Sequence, residues 1–273
     1  MRLATIRTSD GIRAARVEGD HAVLLGHSDV GALLAEGPHA LADAAQVTGP
    51  TFDVATLDYA PLVPNPGKVF CLGLNYLGHI RETGREVPEF PTLFAKFADA
   101  LCGARDPIPL PPESSQVDWE AELAVVIGKP IRRATEAQAL DAIAGYTICN
   151  DISMRNYQYR TLQWLQGKTW EASTPLGPVL VTPDEIDHAR DVEVRCEVDG
   201  VLRQCASTSE LVHSPGFAIA YISTICTLRP GDVISTGTPA GVGMGMDPPT
   251  FLARGQTVRC SIAGIGELVN RCV

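Results

Sequence analysis

No stretch of the chain approaches the run of about 20 apolar residues that a helix needs to cross a bilayer. The opening MRLATIRTSDGIRAARVEGD also lacks the basic-then-apolar layout of a secretory leader. Cytoplasm is therefore the expected compartment, and no membrane partner is expected. Eight cysteines are present, at Cys71, Cys102, Cys149, Cys196, Cys205, Cys226, Cys260 and Cys272, but none stand in the CxxC or CxxxxC spacing that would hold zinc. They read as reduced, mostly buried small apolar residues. Basic charge is also short. With 22 Lys and Arg against 32 Asp and Glu the net charge is −10, which argues against a nucleic-acid binder, since that would need clustered cations to displace phosphate counterions. Internal repeats and low-complexity tracts are absent. The Gly-rich segment Gly237-Thr-Pro-Ala-Gly241-Val-Gly243-Met-Gly245 is neither GxGxxG nor a P-loop, because no Lys-Ser/Thr follows it and no amphipathic helix opens after it.

What is present is a globular composition. A chain of 273 residues, 45% hydrophobic and 20% charged, with a mean hydropathy of +0.06, can bury a full core in one to two domains. Residues 2–25 read as short strands broken at Asp10-Gly11 and Gly19-Asp20. Short helices are expected over Ala32–Glu36 and Leu41–Val47, and Pro61, Pro64 and Pro66 then make a stiff connection, with a boundary near residue 64. Beyond it strands dominate: Val69–Leu72, Trp119–Ile127, Tyr146–Asn150, Val179–Val181, Val192–Val198, Val201–Cys205, Val233–Thr236 and Val258–Ile262. Thr135 with Gln138 forms a capping box for a helix expected to end at Gly145. Ser214-Pro215 starts another, and a third is expected from Arg155 to Leu165 with a stop at Gly167. Strands joined by irregular loops, with a hairpin at Asp199-Gly200, point to a strand-rich, mixed or antiparallel barrel-like roll and away from a repeated βαβ wind.

The chemistry concentrates in acidic residues. In Val117-Asp118-Trp119-Glu120-Ala121-Glu122-Leu123 a strand period of two places Asp118, Glu120 and Glu122 on one face. Leading them into an apolar strand is costly unless a cation compensates, and a hard, oxygen-ligated ion such as Mg²⁺ suits them. The bland alternative is a solvated strand edge. Asp151 follows the strand Tyr146–Asn150, where it either reaches the same pocket or caps a turn. His79 and Glu82 stand three apart, the spacing at which a helical turn lets them bond as a carboxylate-tuned base, though an isolated histidine is more often ordinary. Lys168, after a helix stop, and Lys96, between Phe94 and Phe97, either serve the site or snorkel to solvent. The loop Thr236–Gly241 exposes backbone N–H groups that either hold a substrate carboxylate or form only a tight turn.

These segments resemble the fumarylacetoacetate hydrolase family over nearly all of residues 67–273. The resemblance rests on an ordered set: Gly73-Leu-Asn75-Tyr76-x-x-His79-x-x-Glu82, Leu93-Phe94-x-Lys96, Asp118-x-Glu120-x-Glu122-Leu, Asn150-Asp151-x-Ser153-x-Arg155, Gly167-Lys168, Pro175-x-Gly177-Pro178, Thr236-Gly237-Thr238-Pro239-x-Gly241-Val-Gly243 and Gly264-Ile-Gly266-x-Leu-x-Asn270. It implies an α+β fold, with a small N-terminal α+β domain over residues 1–64 and a mixed β-roll catalytic domain over 65–273. It further implies Glu120, Glu122 and Asp151 as ligands of Mg²⁺ or Mn²⁺ with Asp118 behind them, His79 and Glu82 as a catalytic dyad, and Lys168 as a charge stabiliser. Asn75, Tyr76, Lys96, Gln158 and Thr238 carry over as pocket residues, and a homodimer is implied.

The implied activity is hydrolysis of a C–C bond in 2,4-dioxo acids of the acylpyruvate or fumarylpyruvate type through a metal-bound enolate. An oxaloacetate-type decarboxylase or a 2-hydroxyhepta-2,4-diene-1,7-dioate isomerase would use the same residues. A non-catalytic metal- or acid-binding relic is the remaining alternative, and such a relic has no need to retain His79 and Glu82 beside three ligands. The chain departs from many relatives at Asn156 and Glu171, where Asp is common. It carries Asn75 near the place where some relatives have a fourth acidic ligand.

Overall fold

The computed structural model describes residues 1–273. The chain opens as an antiparallel meander of β1 (Arg2–Thr8), β2 (Gly11–Glu18) and β3 (His21–Leu24), turning at the two Asp/Gly pairs read from the sequence. Two short helices follow, α1 (Val30–Ala35), capped by Asp29, and α2 (Ala40–Gln46); β4 (Thr51–Asp53) then pairs with β3 and β5 (Asp58–Tyr59) with β1. Past the prolines come β6 (Val69–Gly73), α3 (Leu77–Glu82), β7 (Thr92–Lys96), β8 (Leu101–Cys102), β9 (Val117–Asp118) and β10 (Ala121–Ile127). Next are α4 (Glu136–Asp141), β11 (Ile143–Asn150), β12 (Ser153–Met154), α5 (Arg155–Gln158), α6 (Leu165–Lys168) and β13 (Thr174–Val181). The chain closes with α7 (Pro183–Ile186), β14 (Glu193–Val198), β15 (Val201–Ser207), α8 (Pro215–Ile225), β16 (Val233–Ser235), β17 (Thr257–Ile262) and β18 (Gly266–Arg271).

Twelve strands make one mixed sheet, ordered β4-β3-β2-β1-β13-β11-β10-β16-β6-β7 with β5 and β8 alongside. Only β6 with β16 and β8 with β13 run parallel within it. The fold is thus the expected strand-rich α+β, but the sheet does not close into a barrel: β4 and β7 remain its two edges. A second antiparallel sheet, β15-β14-β17-β18, packs against it through a shared apolar core. Strands from both sides of residue 64 join the large sheet where β1 pairs with β13, and Leu3, Val30 and Leu33 share a core with Val69, Ala124 and Leu180. No helix is long and apolar enough to cross a membrane.

Two helices end earlier than the sequence predicts. The capping box of Thr135 and Gln138 is formed, but α4 stops before Ala142, whose carbonyl accepts the Gly128 N–H; the apolar residues beyond enter β11 and pair with β10. The expected helix from Arg155 to Leu165 is two single turns, α5 and α6. Between them Thr161 accepts the Gln163 N–H through its hydroxyl, a local bond that competes with helix. The chain then doubles back so closely that a Cβ on Gly167 would lie 2.5 Å from the Gln158 nitrogen.

Strand β10 positions the chemistry. Its odd members Ala121, Leu123, Val125 and Ile127 enter one core while Ala124 and Val126 enter the other, so the strand is buried on both faces. Leu123→Ala is expected to lower stability by about 2–5 kcal/mol. Leu162→Ala, on a loop side chain that is 97% exposed, should shift it by less than about 0.5 kcal/mol. Equilibrium urea unfolding of both variants checks the contrast.

Candidate functional site

Register brings the acids together. Ala121 pairs with Asn150 and Glu122 with Cys149, and the ladder continues as the Asp151 N–H donates to the Glu120 carbonyl (2.9 Å) and the Glu120 N–H to Asn150 Oδ1 (3.1 Å). Glu120, Glu122 and Asp151 therefore leave the same face at the ends of two paired strands. One carboxylate oxygen from each lies within 4.8 Å of the others, and all three side chains are buried. The solvated-edge alternative does not describe them. Nor is Asp151 a turn cap, since its carboxylate accepts from Lys96 and Lys168.

Three cations answer these anions from within the protein. Lys168 Nζ donates to Glu120 Oε2 (2.6 Å) and Asp151 Oδ2 (2.8 Å), and Lys96 Nζ pairs with Asp151 Oδ1. Arg155 places Nη2 2.7 Å from Glu120 Oε1, Nε 2.8 Å from Asp118 Oδ2 and Nη1 2.9 Å from Gln158 Oε1. Neither lysine snorkels: both ammonium groups are buried. Burial pushes the Glu120 carboxyl upward, but Lys168 and Arg155 outweigh it and hold the group well below its usual range. Lys168 is driven the other way. Burial lowers its pKa, yet Asp151 and Glu120 together raise it above the ordinary lysine value.

Glu122 has no cation. Its Oε2 accepts from the Ser235 hydroxyl (2.5 Å) and the Gly237 N–H (2.9 Å), and burial, followed by Asp151 and Glu120, pushes its carboxyl well above the usual range. With all four ionised, Asp118, Glu120, Glu122 and Asp151 outnumber Lys96, Arg155 and Lys168 by one negative charge, and the raised Glu122 carboxyl is where that excess falls. Three carboxylates at this spacing, one of them unpaired and with no sulfur or imidazole among them, fit a hard divalent cation. Such an ion would turn the local excess positive by one, a charge suited to an anionic ligand.

Four N–H groups of the glycine loop are taken by the protein's own carboxylates. Gly237 donates to Glu122, Gly241 to Glu82 Oε1 (2.9 Å), and Gly243 and Met244 to the two oxygens of Asp118 (2.7 and 3.0 Å). The sequence leaves open a substrate-binding nest or a tight turn; these four N–H groups instead bind the protein's own carboxylates. Gly241 has φ +102°, and a Cβ there would come within 1.9 Å of the Arg203 carbonyl, so the loop needs glycine at that turn.

His79 and Glu82 form one turn on α3, with His79 Nδ1 2.9 Å from Glu82 Oε2. A carboxylate only accepts, so the ring proton sits on Nδ1 and Nε2 keeps its lone pair. His79 lines a cleft with Glu120, Glu122, Lys168, Gln158 and Thr238, which holds about 30 Å³ of free space. The Thr238 hydroxyl donates to the Ala121 carbonyl and accepts from Gln204. Asn75, Tyr76 and Lys96 do not line this cleft. The Asn75 carboxamide instead ties β6 to the loops at His213 and Thr236, and Lys96 sits behind Asp151. Sequence reasoning gave no role to Arg155, Arg85, Phe94, Tyr159 or Trp164, all of which border the cleft. Arg155 was discoverable from its place in Asn150-Asp151-x-Ser153-x-Arg155 and Phe94 from Leu93-Phe94-x-Lys96; Arg85, Tyr159 and Trp164 stand on loops and helix ends and carry no local pattern.

A family model described as fumarylacetoacetate (FAA) hydrolase C-terminal matches residues 68–273. The chain is 45% identical over 213 residues to the mitochondrial oxaloacetate tautomerase of Xenopus laevis, covering 77% of this chain and 67% of that one. Among solved structures it is similar to a fumarylacetoacetate hydrolase from the psychrophilic Exiguobacterium antarcticum, with a TM-score of 0.89, 32% identity and coverage of 100% and 99% of the two chains. It is also similar to a 2-hydroxyhepta-2,4-diene-1,7-dioate isomerase from Mycobacterium marinum, with a TM-score of 0.81, 35% identity and coverage of 100% and 98%.

The raised Glu122 carboxyl sets a pH dependence. A raised folded-state pKa contributes stability that is complete below the ordinary value of 4.5 and is lost as pH rises through the shifted one. In chelator, Glu122→Gln should therefore be more stable than the parent at pH 7–8, by on the order of 1–3 kcal/mol, and the gap should close towards pH 4.5. Adding Mg²⁺ should raise the melting temperature of the parent and not of the variant. Melting curves that run parallel across pH and Mg²⁺ would remove the assignment.

Proposed function

The chain belongs to the fumarylacetoacetate hydrolase family, and within it we propose that it moves the C3 proton of a 2-oxo acid between keto and enol forms, with a divalent cation held by Glu120, Glu122 and Asp151. The observation that carries this reading is His79, bonded from behind by Glu82, bordering the same cleft as Glu120 and Glu122. When bound, Mg²⁺ or Mn²⁺ supplies Lewis acidity that polarises the 2-oxo group and favours negative charge on its oxygen.

The protein's own residues do the rest. In the keto-to-enol direction His79 Nε2 takes the proton from C3 and the 2-oxo oxygen takes it up from the imidazolium, and in the reverse direction it passes back to C3, while the Glu82 carboxylate accepts the Nδ1–H hydrogen bond and stabilises the imidazolium. The Gly241 N–H fixes the second Glu82 oxygen, so the base cannot swing away from the cleft. Lys168 clamps Glu120 to Asp151 and keeps a positive charge beside the developing oxyanion. Gln158 accepts from Arg155 through Oε1, which leaves its amide N–H groups as the donors for a substrate carboxylate. Asn75 holds the turn that presents α3, and Thr238 contributes shape, since its hydroxyl is already bonded.

C–C hydrolysis of a 2,4-dioxo acid, which the sequence ranks first, is the second reading, with decarboxylation beside it. It keeps the same dyad as a water-activating base, and the full-length likeness to a fumarylacetoacetate hydrolase favours it. Proton transfer stands ahead because one base suffices for it, and because the tautomerase relative is the more similar in sequence. Assays on oxaloacetate, acetylpyruvate, fumarylpyruvate and a hydroxydienedioate, with and without Mg²⁺, separate the two. Enol–keto conversion without release of pyruvate supports the first reading, and cleavage of acylpyruvates supports the second.

His79→Ala should lower turnover by about 10² to 10⁴ while keeping the Mg²⁺-dependent rise in melting temperature. Glu82→Gln should lose less, because the base remains but its tautomer is no longer enforced. Wild-type turnover in His79→Ala would refute the role of the dyad.

A further inference from the structure

Strand β15 belongs to the second sheet, yet one of its side chains reaches the glycine loop behind the cleft. Pairing of β14 with β15 slips by one residue after Cys196 meets Gln204: Glu197 then faces Leu202, and Arg203 is left without a partner on β14. A bulge of this kind re-aims the residues beside it. The Arg203 carbonyl presses on Gly241, and Gln204 is turned inward, 1% exposed. Its carboxamide is fully engaged. Oε1 accepts the Ala121 N–H (3.0 Å), while Nε2 donates to the Thr238 hydroxyl (2.8 Å) and to the Pro239 carbonyl (2.8 Å). Turning the amide over would set oxygen against the Pro239 carbonyl and N–H against the Ala121 N–H, so the partners fix its orientation. No other side chain matches them: a carboxylate lacks both donors, asparagine is too short, and an aliphatic chain has neither donor nor acceptor.

The places of these partners give the contact its meaning. Ala121 stands between Glu120 and Glu122. Thr238 and Pro239 stand between Gly237, whose N–H holds Glu122, and Gly241, whose N–H holds Glu82 behind His79. Gln204 itself does not line the cleft. We propose that Gln204 is a positioning residue for the proton transfer: a strut from the carboxylate-bearing strand to the glycine loop that fixes Glu82, and through it the His79 base, relative to the candidate ion site. This rests on the reading of the cleft as a proton-transfer site, and it gives the second sheet a part in that chemistry. The carboxylates keep bonds of their own, Glu120 and Asp151 to Lys168 and Glu122 to Ser235. Loss of the strut therefore acts on the base and leaves the ion site in place.

The test uses the Mg²⁺-loaded full-length protein and Gln204→Met, which keeps the length of the side chain and loses all of its bonds, with enol–keto conversion of oxaloacetate as the assay. kcat should fall about 10- to 100-fold, while KM and the Mg²⁺ concentration that half-saturates the rise in melting temperature stay within about 3-fold. On a His79→Ala background the same substitution should cost less than about 3-fold further, because the strut acts through the base. Gln204→Glu keeps the acceptor for Ala121 and offers at most one donor; it should also lose kcat, by about 5-fold or more, and covers the case in which Gln204→Met does not fold. Amide exchange followed by mass spectrometry should quicken over residues 236–245 and stay unchanged over 123–127 in β10. Unchanged kcat, a loss carried by KM or by Mg²⁺ affinity, an equal loss with and without His79, or unchanged exchange in the loop overturns the role of Gln204 while leaving the cleft reading intact. A wild type that moves no proton on any 2-oxo acid overturns both.

Discussion

Four buried carboxylates held together in one place dominate this structure. Like charges a few ångströms apart in a low-dielectric interior repel strongly, and each also loses its hydration. Such an arrangement persists only if the surrounding fold supplies compensation. Lys96, Lys168 and Arg155 supply most of it as ion pairs, and Ser235 with the N–H groups of the glycine loop supplies part of the rest as hydrogen bonds. The balance stops one charge short. Glu122 lacks a cationic partner, and that shortfall is the physical reason for a divalent ion at this point.

The same compensation organises the reacting groups. One loop, from Thr236 to Gly245, bonds Glu122, Glu82 and Asp118 through successive N–H groups, so the candidate ion site and the candidate base are fastened to a common piece of backbone. Asp118 in turn orients Arg155, which reaches Glu120 on one side and Gln158 on the other. A shift in the loop would therefore move the base, the ligands and the carboxylate-binding donors together. The spacing between proton acceptor and carboxylates is a property of the loop as much as of the strands.

Parts of this were legible in the sequence for identifiable reasons. Glu120 and Glu122 reach one site as the alternation predicts although the strand breaks at Trp119-Glu120, with Asp118 on the separate β9, and the spacing of His79 and Glu82 survives because the helical turn is local. The position of Asp151 was readable as a strand end. Its nearness to Glu120 was not, since that depends on the register between β10 and β11. The glycine loop was recognised as a source of N–H donors, but not which acceptors it serves, because Glu82 and Asp118 are more than 120 residues away from their donors. The single helix expected over 155–165 failed where tertiary packing at Gly167 and a local bond at Thr161 outweighed propensity. The strand-rich mixed roll was legible, but not that its sheet stays open with β4 and β7 as edges, because strand order is not encoded in sequence periodicity.

The chemistry of the cleft depends on one hard cation joining Glu120, Glu122 and Asp151. Crystals grown with Mn²⁺ and measured at the manganese absorption edge address this directly. A single anomalous peak in contact with oxygens from all three side chains, with Glu122 among them, is the predicted result. A peak elsewhere, or a site in which no manganese touches Glu122, would contradict it.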